Sequence, residues 1–519
     1  MNRRAAKASV RRVEGSGLRS RVGWLAAVGL LAAAAAPGRA GAVVVCTYTA
    51  STHVAEVRAS GEYDNVILKR SGTQLLVNGA ACSGALTTNT SRISVLGTFK
   101  HQSVKLDLGG GALAPGWGAK PGVRADIAEI KLALALYDGT PVTITGGPGA
   151  DTIRAGKSGV LLDRDSDVDL TISGGSLVAI DGGAGDDNLS AGGGDATGAP
   201  LGNAVNITGG AGNDTLVGGD RGERLDGGDG SDKVDGGAGD DVLVGGAHAS
   251  PSDRYTGGPG ADRLDYSAQT KRVGVCEDVT GSICSGYYGF EFDYVTGVET
   301  VLLTPGDDMF LDSASPVAVS GGAGNDVLNL YFATGDGNVL DGGAGNDHLY
   351  GGKGGDTLVG GPGNDDEYGF GGADRFVMGS SPDGNDAIFG EGGAPGPDHF
   401  HDVVDYSQRS APITVDLNEK PSGDLAAGER DTVYHDVEEA LGGTGDDTFV
   451  GNDFANTFYG NAGKDSLTGG KGQDLLHGGP GDDVYHAVDG FQDFIFTGGG
   501  NDNVSDIDVG LDVVASGAW

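Results

Sequence analysis

The sequence predicts an all-β chain, a parallel β-roll or β-solenoid preceded by an N-terminal β unit, on three observations. The pattern Gly-Gly-x-Gly-x-Asp occurs thirteen times, and in three stretches successive units follow every nine residues. Twelve of the thirteen copies place Ile, Val, Leu, Phe or Tyr two residues after the Asp, the exception being Glu367. Glycine makes up 100 of the 519 residues, yet there are only 17 Pro and no three-residue period, which excludes a collagen-like chain. The repeating unit is therefore a glycine turn followed by a minimal strand, x-apolar-x, with one side chain pointing inward.

Taken in order, the chain begins with Arg3, Arg4, Arg11, Arg12, Arg19 and Arg21, an apolar run from Val22 to Ala36, and the small triplet Ala40-Gly41-Ala42. This reads as a secretory signal over residues 1–42. The run is shorter than the roughly 20 residues a membrane span needs, so no membrane insertion is expected after cleavage. Residues 43–141 form the N-terminal β unit, with alternating segments at Val43–Tyr48, Val54–Ala59, Val66–Lys69, Leu75–Val77, Ile93–Leu96 and Val104–Leu108. Ile130–Tyr137 mixes helix-favouring Ala and Leu with strict alternation and is read as strand. The four cysteines suit an oxidising compartment, and the local spacing favours Cys46 with Cys82 and Cys276 with Cys284 over the two other connectivities.

From residue 142 the repeats divide into a first block to 265, a second over 321–398 and a third over 442–519. The tandem arrays within them are Gly209–Val244, Gly342–Val377 and Gly442–His486. The intervening spacers, 266–320 and 399–441, are related by duplication. LDYSAQTKRVGV from Leu264 resembles VDYSQRSAPITV from Val404, and VETVLLTPGDDMF from Val298 matches VEEALGGTGDDTF from Val437. The DYS and VE landmarks recurring in both argue for ordered β segments rather than loops.

Two repeats, eighteen residues, return the chain to its starting side. Sixth-position residues should therefore face one another as Asp214 with Asp232, Glu223 with Asp241, Asp347 with Asp365, Asp356 with Asp374, Asp447 with Asp465 and Asp465 with Asp483. Asn456 facing Asp474 carries one charge fewer. Stacked at about 4.8 Å per rung, such carboxylates repel. Each turn also buries only about two large apolar side chains against the ordering of a glycine-rich backbone, so something external must hold it. A hard divalent cation meets both needs. Calcium, which accepts six to eight oxygens and mixes carboxylates with carbonyls, fits better than magnesium. The candidate ligands are Asp151, Asp187, Asp214, Glu223, Asp232, Asp241, Asp262, Asp326, Asp347, Asp356, Asp365, Asp374, Asp447, Asp465, Asp474 and Asp483, for several ions. An isolated copy, Gly182–Ser190, is expected to hold its ion less firmly than a tandem one, so Asp356→Ala should weaken binding more than Asp187→Ala.

With these residues in view, the chain resembles the RTX, or haemolysin-type, calcium-binding repeat proteins, whose consensus G-G-x-G-x-D-x-U-x the arrays meet. The resemblance implies a parallel β-roll with calcium between stacked turns, held by the sixth-position Asp and turn carbonyls. Departures are Glu223, Glu367, Asn456, the missing fourth Gly in GGDRGERLD and the degenerate GNDFANTFY. A cleaved signal together with cysteines makes the chain look like a general-secretion relative of that family.

The net charge of −39 becomes −46 without the first 42 residues, 26 basic against 72 acidic. That excludes nucleic acid and anionic membranes as partners bound by charge. Motifs for catalysis are missing. His435-Asp-Val-Glu-Glu439 lacks the second His of a metalloprotease helix, no Gly-x-Ser-x-Gly elbow occurs, and Gly156-Lys157-Ser158 follows Asp151 where a P-loop needs Gly. The expectation is an extracellular, non-enzymatic, calcium-folded scaffold, adhesive or surface protein, with cell-surface or matrix polysaccharide as a candidate partner. The alternative is a secreted carbohydrate-active or other hydrolytic enzyme carrying the repeats.

Overall fold

The computed structural model describes residues 44–516 together with Leu31–Ala32, apart from 52, 60–64, 72–73, 87–91, 98–102, 108–130, 163–169, 195–196, 247–252, 278–291, 313–316 and 391–400. The expected signal over 1–42 falls almost wholly outside the described residues. Only Leu31–Ala32 is seen, paired antiparallel to Val45 and Cys46. No helix occurs among the described residues, so none is long and apolar enough to cross a membrane; a β-barrel is not addressed by this.

The N-terminal unit contains strands Val44–Thr49, Val54–Ala59, Asn65–Ser71, Gln74–Val77, Arg92–Gly97 and Ser103–Asp107, close to the segments that alternation predicts. Ala80–Leu86 is an additional strand, too rich in small residues to show alternation. Cys82 on it is bonded to Cys46, with Cα atoms 5.5 Å apart. The Cys276–Cys284 pairing falls outside the described residues. The ambiguous Ala-Leu segment is strand, Lys131–Thr145. It pairs in parallel with Arg92–Gly97 and Ser103–Asp107 on one side and with Leu170–Ala184 on the other, carrying the sheet into the first repeat copy. There is thus one continuous ladder from the N-terminal unit into the repeats.

Beyond it each repeat contributes a three-residue core strand, and register confirms the eighteen-residue return. Leu216 pairs with Val234, Leu225 with Leu243, Leu358 with Phe376, Phe449 with Leu467 and Phe458 with Leu476. In strands such as Thr215–Val217, Thr357–Val359 and Thr448–Val450 the middle residue is buried and its neighbours half-buried, as one inward side chain per strand requires. The eighth-position residues form two interior rows. Ninth-position aromatics stack outside them, Tyr350 on Tyr368 at 5.0 Å, Tyr368 on Phe389 at 4.4 Å and Phe389 on Tyr434 at 3.9 Å between ring centroids.

The spacers continue the same stack. Arg263–Asp265 pairs with Thr300–Leu302, which pairs with Ala318–Ala323; Val403–Asp405 pairs with Glu439–Leu441. In the first spacer the stacking order departs from chain order. Phe292–Thr296 lies on Arg254–Thr256, and the earlier segment Gly274–Glu277 stacks after it, followed by Met309–Asp312.

Glu367 occupies a core position between Leu349 and Ile388, fully buried, with no hydrogen-bond donor to either carboxyl oxygen. Burial first, and then the charges of Asp386, Asp365, Asp431 and Asp383, push its carboxyl well above the usual range, which favours the protonated form. A buried polar group without a partner is costly. Glu367→Leu is therefore expected to raise stability by about 1–3 kcal/mol, seen as a higher thermal midpoint in calcium. A fall would show that the carboxyl has a partner of its own.

Candidate calcium ladders

The repeat GGAGNDTLV at 209–217 shows how one unit builds half of a site. Gly210 and Gly212 take φ of 113° and 145°, which L side chains rarely adopt, and bend the chain back on itself. At Gly209 the need for glycine is spatial. A Cβ there would come closer than 3.0 Å both to Asp214 Oδ2 and to the carbonyl oxygen of Gly227, one turn on. The same convergence of a sixth-position carboxylate and a later glycine carbonyl recurs at Gly182 with Asp187 and Gly209, at Gly236 with Asp241 and Gly257, at Gly321 with Asp326 and Gly342, and at Gly460 with Asp465 and Gly478.

All seven pairings expected from the eighteen-residue return are made, and by one device. The backbone N–H of one sixth-position residue donates to Oδ1 of the next. Distances are 2.7 Å for Asp214 to Asp232, 2.6 Å for Glu223 to Asp241, 2.8 Å for Asp347 to Asp365, 2.8 Å for Asp356 to Asp374, 2.8 Å for Asp447 to Asp465, 3.0 Å for Asp465 to Asp483 and 2.8 Å for Asn456 to Asp474. Of the sixteen candidate ligands all but Asp151 are buried. Asp151 and Asp187 join the same ladder, Asp151 donating to Asp187 at 2.6 Å and Asp187 to Asp214 at 2.7 Å. Asp326 continues to Asp347 at 2.7 Å, and Asp241 to Asp262 at 2.8 Å.

The second carboxylate oxygen separates two kinds of position. At Asp187, Asp214, Asp232, Asp241, Asp262, Asp326, Asp347, Asp365, Asp465, Asp474 and Asp483 the buried Oδ2 has no donor. At Asp151, Asp356 and Asp447 it accepts the N–H of the second residue of its own turn, from Gly147 at 2.6 Å, Gly352 at 2.7 Å and Gly443 at 2.9 Å. Glu223 directs Oε2 to Gly219 N–H at 2.9 Å and leaves Oε1 without a donor. Burial, reinforced by neighbouring carboxylates, raises Asp187, Asp214, Asp447 and Asp483 to about 6, Asp241, Asp365, Asp465 and Asp474 to about 7, and Asp326 to about 8. Without a counter-charge these side chains resist ionisation.

The donor set is wholly oxygen. Among the described residues no three Asp, Glu, His or Cys side chains gather closely enough to chelate a metal by themselves. A cation here must therefore draw on carboxylates and main-chain carbonyls together, the mixture that calcium accepts. Buried, donorless carboxylate oxygens converging with glycine carbonyls fit that ion.

These rungs define a parallel β-roll whose turns present stacked carboxylates. The family model of the RTX calcium-binding nonapeptide repeat matches residues 142–158, 179–197, 205–220, 217–247, 304–330, 332–367, 441–476 and 459–491, so the chain carries RTX calcium-binding nonapeptide repeats. No curated relative matches it.

The ladder also contains residues that the Gly-Gly-x-Gly-x-Asp pattern misses. Asp232 donates to Asp253, Asp253 to Asp293, Asp262 to Glu299, Asp308 to Asp326, Asp365 to Asp386, Asp374 to Asp402, Asp386 to Asp431, Asp402 to Glu438 and Asp474 to Asp493. Each of these acids precedes a buried apolar residue by two, as in Asp253-Arg-Tyr255, Asp308-Met-Phe310 and Asp493-Phe-Ile495. The acid-x-apolar triplet was the available signal. The glycine turn before it had been lost or lengthened.

The Gly182 copy, isolated in sequence, is not isolated in space. Asp187 has a donorless oxygen, whereas both oxygens of Asp356 are occupied, Oδ1 by Asn338 and Oδ2 by Gly352. This donor pattern favours the opposite order to the one expected from sequence. Asp187→Asn should remove about one ion from the calorimetric stoichiometry, and Asp356→Asn should remove less. Equal losses would show that the second oxygen does not govern occupancy.

Proposed function

We propose that this protein is an extracellular scaffold whose repeat arrays fold on binding calcium, serving a structural or adhesive role at a cell surface or in a matrix. The observation that carries the reading is the row of buried carboxylate oxygens that lack donors and converge with glycine carbonyls. Cations at these positions would cancel the repulsion along the ladders and couple binding to folding. Secretion is supported by the arginine-rich, apolar N-terminal pattern and by the Cys46–Cys82 disulfide, which suits an oxidising compartment. In calcium-poor cytoplasm the arrays would stay unfolded until export. The acidic surface suits neutral or calcium-bridged polysaccharide better than nucleic acid.

Calorimetric titration of the calcium-free chain tests the core of the reading, with several ions expected to bind alongside a gain of β structure. Fractionation of the producing cells tests the location, and pull-down from envelope fractions with and without calcium tests the partner. Calcium binding with no change in structure would reduce the function to buffering.

A further inference from the structure

In the two spacers a buried tyrosine hydroxyl occupies the second oxygen of a ladder aspartate. In the first, Tyr266, fully buried, donates its hydroxyl to Asp293 Oδ2 at 2.6 Å, while Asp293 Oδ1 accepts the N–H of Asp253 at 2.8 Å. In the second, Tyr406, also fully buried, donates to Asp431 Oδ2 at 2.7 Å, while Asp431 Oδ1 accepts the N–H of Asp386 at 3.1 Å. Each of these ladder aspartates thus has a donor on both oxygens, unlike array aspartates such as Asp214, Asp232, Asp347 and Asp465, whose second oxygen has none. The two tyrosines are 140 residues apart and the two aspartates 138, so the clasp is part of the duplicated block.

The clasp accounts for the DYS landmark residue by residue. Asp265 and Asp405 turn the chain by accepting the N–H of Ser267 at 3.0 Å and of Ser407 at 2.8 Å. The Tyr between them then swings into the core. The turn closes behind it through Gln269 N–H to the Tyr266 carbonyl at 2.8 Å and Arg409 N–H to the Tyr406 carbonyl at 2.9 Å. Supporting contacts differ between copies. Tyr255, which bonds Asp253 Oδ2 at 3.1 Å, packs edge-on to Tyr266 with centroids 6.3 Å apart. Beside Tyr406, the buried Arg409 pairs with Asp383 at 2.9 Å and Glu429 at 2.6 Å.

We infer that the Tyr266–Asp293 and Tyr406–Asp431 clasps make the spacers ion-independent rungs, which stay folded when calcium is removed and template the arrays on either side when it returns. This rests on the calcium-coupled reading of the arrays. The physical reason is that a buried carboxylate costs less when both its oxygens have donors, and a hydroxyl supplies one from within the chain.

Hydrogen exchange on the whole chain, in calcium and in EGTA at neutral pH, tests this without any substitution. On chelation, strands within 209–244, 342–377 and 457–486 should lose protection by about 100-fold or more, the factor for ions held at 100 times their Kd. Strands within 292–311 and 403–441 should change by less than about tenfold. If spacers and arrays lose protection together, the clasp inference is overturned while calcium-coupled folding stands. If neither loses protection, the calcium-coupled reading itself fails. Tyr406→Phe should leave exchange in calcium unchanged and make 403–441 sensitive to EGTA. A variant whose spacer keeps its protection in EGTA would also overturn the inference.

Discussion

Stripping calcium with EGTA at pH 7.5 should abolish most of the β signal of the arrays in far-ultraviolet circular dichroism, and excess calcium should restore it. The size of the effect follows from the ladders. An ion held at 100 times its Kd stabilises the folded state by about 2.7 kcal/mol. A whole domain is typically stable by only about 5–15 kcal/mol. Losing a handful of ions therefore matches the entire margin, and it leaves buried carboxylates such as Asp214, Asp241 and Asp465 facing one another along the stack. A core of one apolar side chain per strand cannot compensate. An unchanged spectrum and thermal midpoint in EGTA would refute calcium-coupled folding.

The second large effect is a reversal of pH dependence by calcium. In the ion-free roll, burial raises Asp241, Asp365, Asp465 and Asp474 to about 7 and Asp326 to about 8, from an ordinary value of 3.8. A raised folded-state pKa means that the folded chain binds more protons than the unfolded one. That contribution is fully present below the unfolded value of 3.8 and is lost as pH rises through 6 to 8. In EGTA, lowering the pH from 8 to 5 should accordingly restore β structure. In calcium the sign is opposite, because the ion needs the ionised carboxylate. Affinity should fall by about tenfold per pH unit for each proton the ion must displace. Paired pH titrations of the circular dichroism signal, with and without calcium, check both arms. Parallel curves would mean that these carboxylates do not titrate with the ion.

Much of this was legible in the sequence because the motif is strict where the geometry is strict. Eighteen residues per coil follow from a nine-residue unit of turn plus strand, and that spacing alone identifies the partners of Asp214, Glu223, Asp347, Asp356, Asp447, Asp465 and Asn456. The rest was hidden because a turn can lengthen outward without disturbing the strand beneath it. Asp232 reaches Asp253 across 21 residues and Asp386 reaches Asp431 across 45. Neither gap shows a period, although Tyr255 and Val433 keep their inward places. Nor does any local pattern announce that Phe292–Thr296 stacks before Gly274–Glu277.

The sequence by itself determined the repeat, the register and the ion chemistry, since these depend on residues at fixed short spacing. Only the tertiary structure decided which carboxylate oxygens stay open. Asp187 lacks a donor that Asp356 has, and Asp293 and Asp431 are closed by Tyr266 and Tyr406. The reason is physical. A hydrogen-bond donor satisfies an acceptor by position in space, and here the tyrosine donors lie 25 and 27 residues away along the chain.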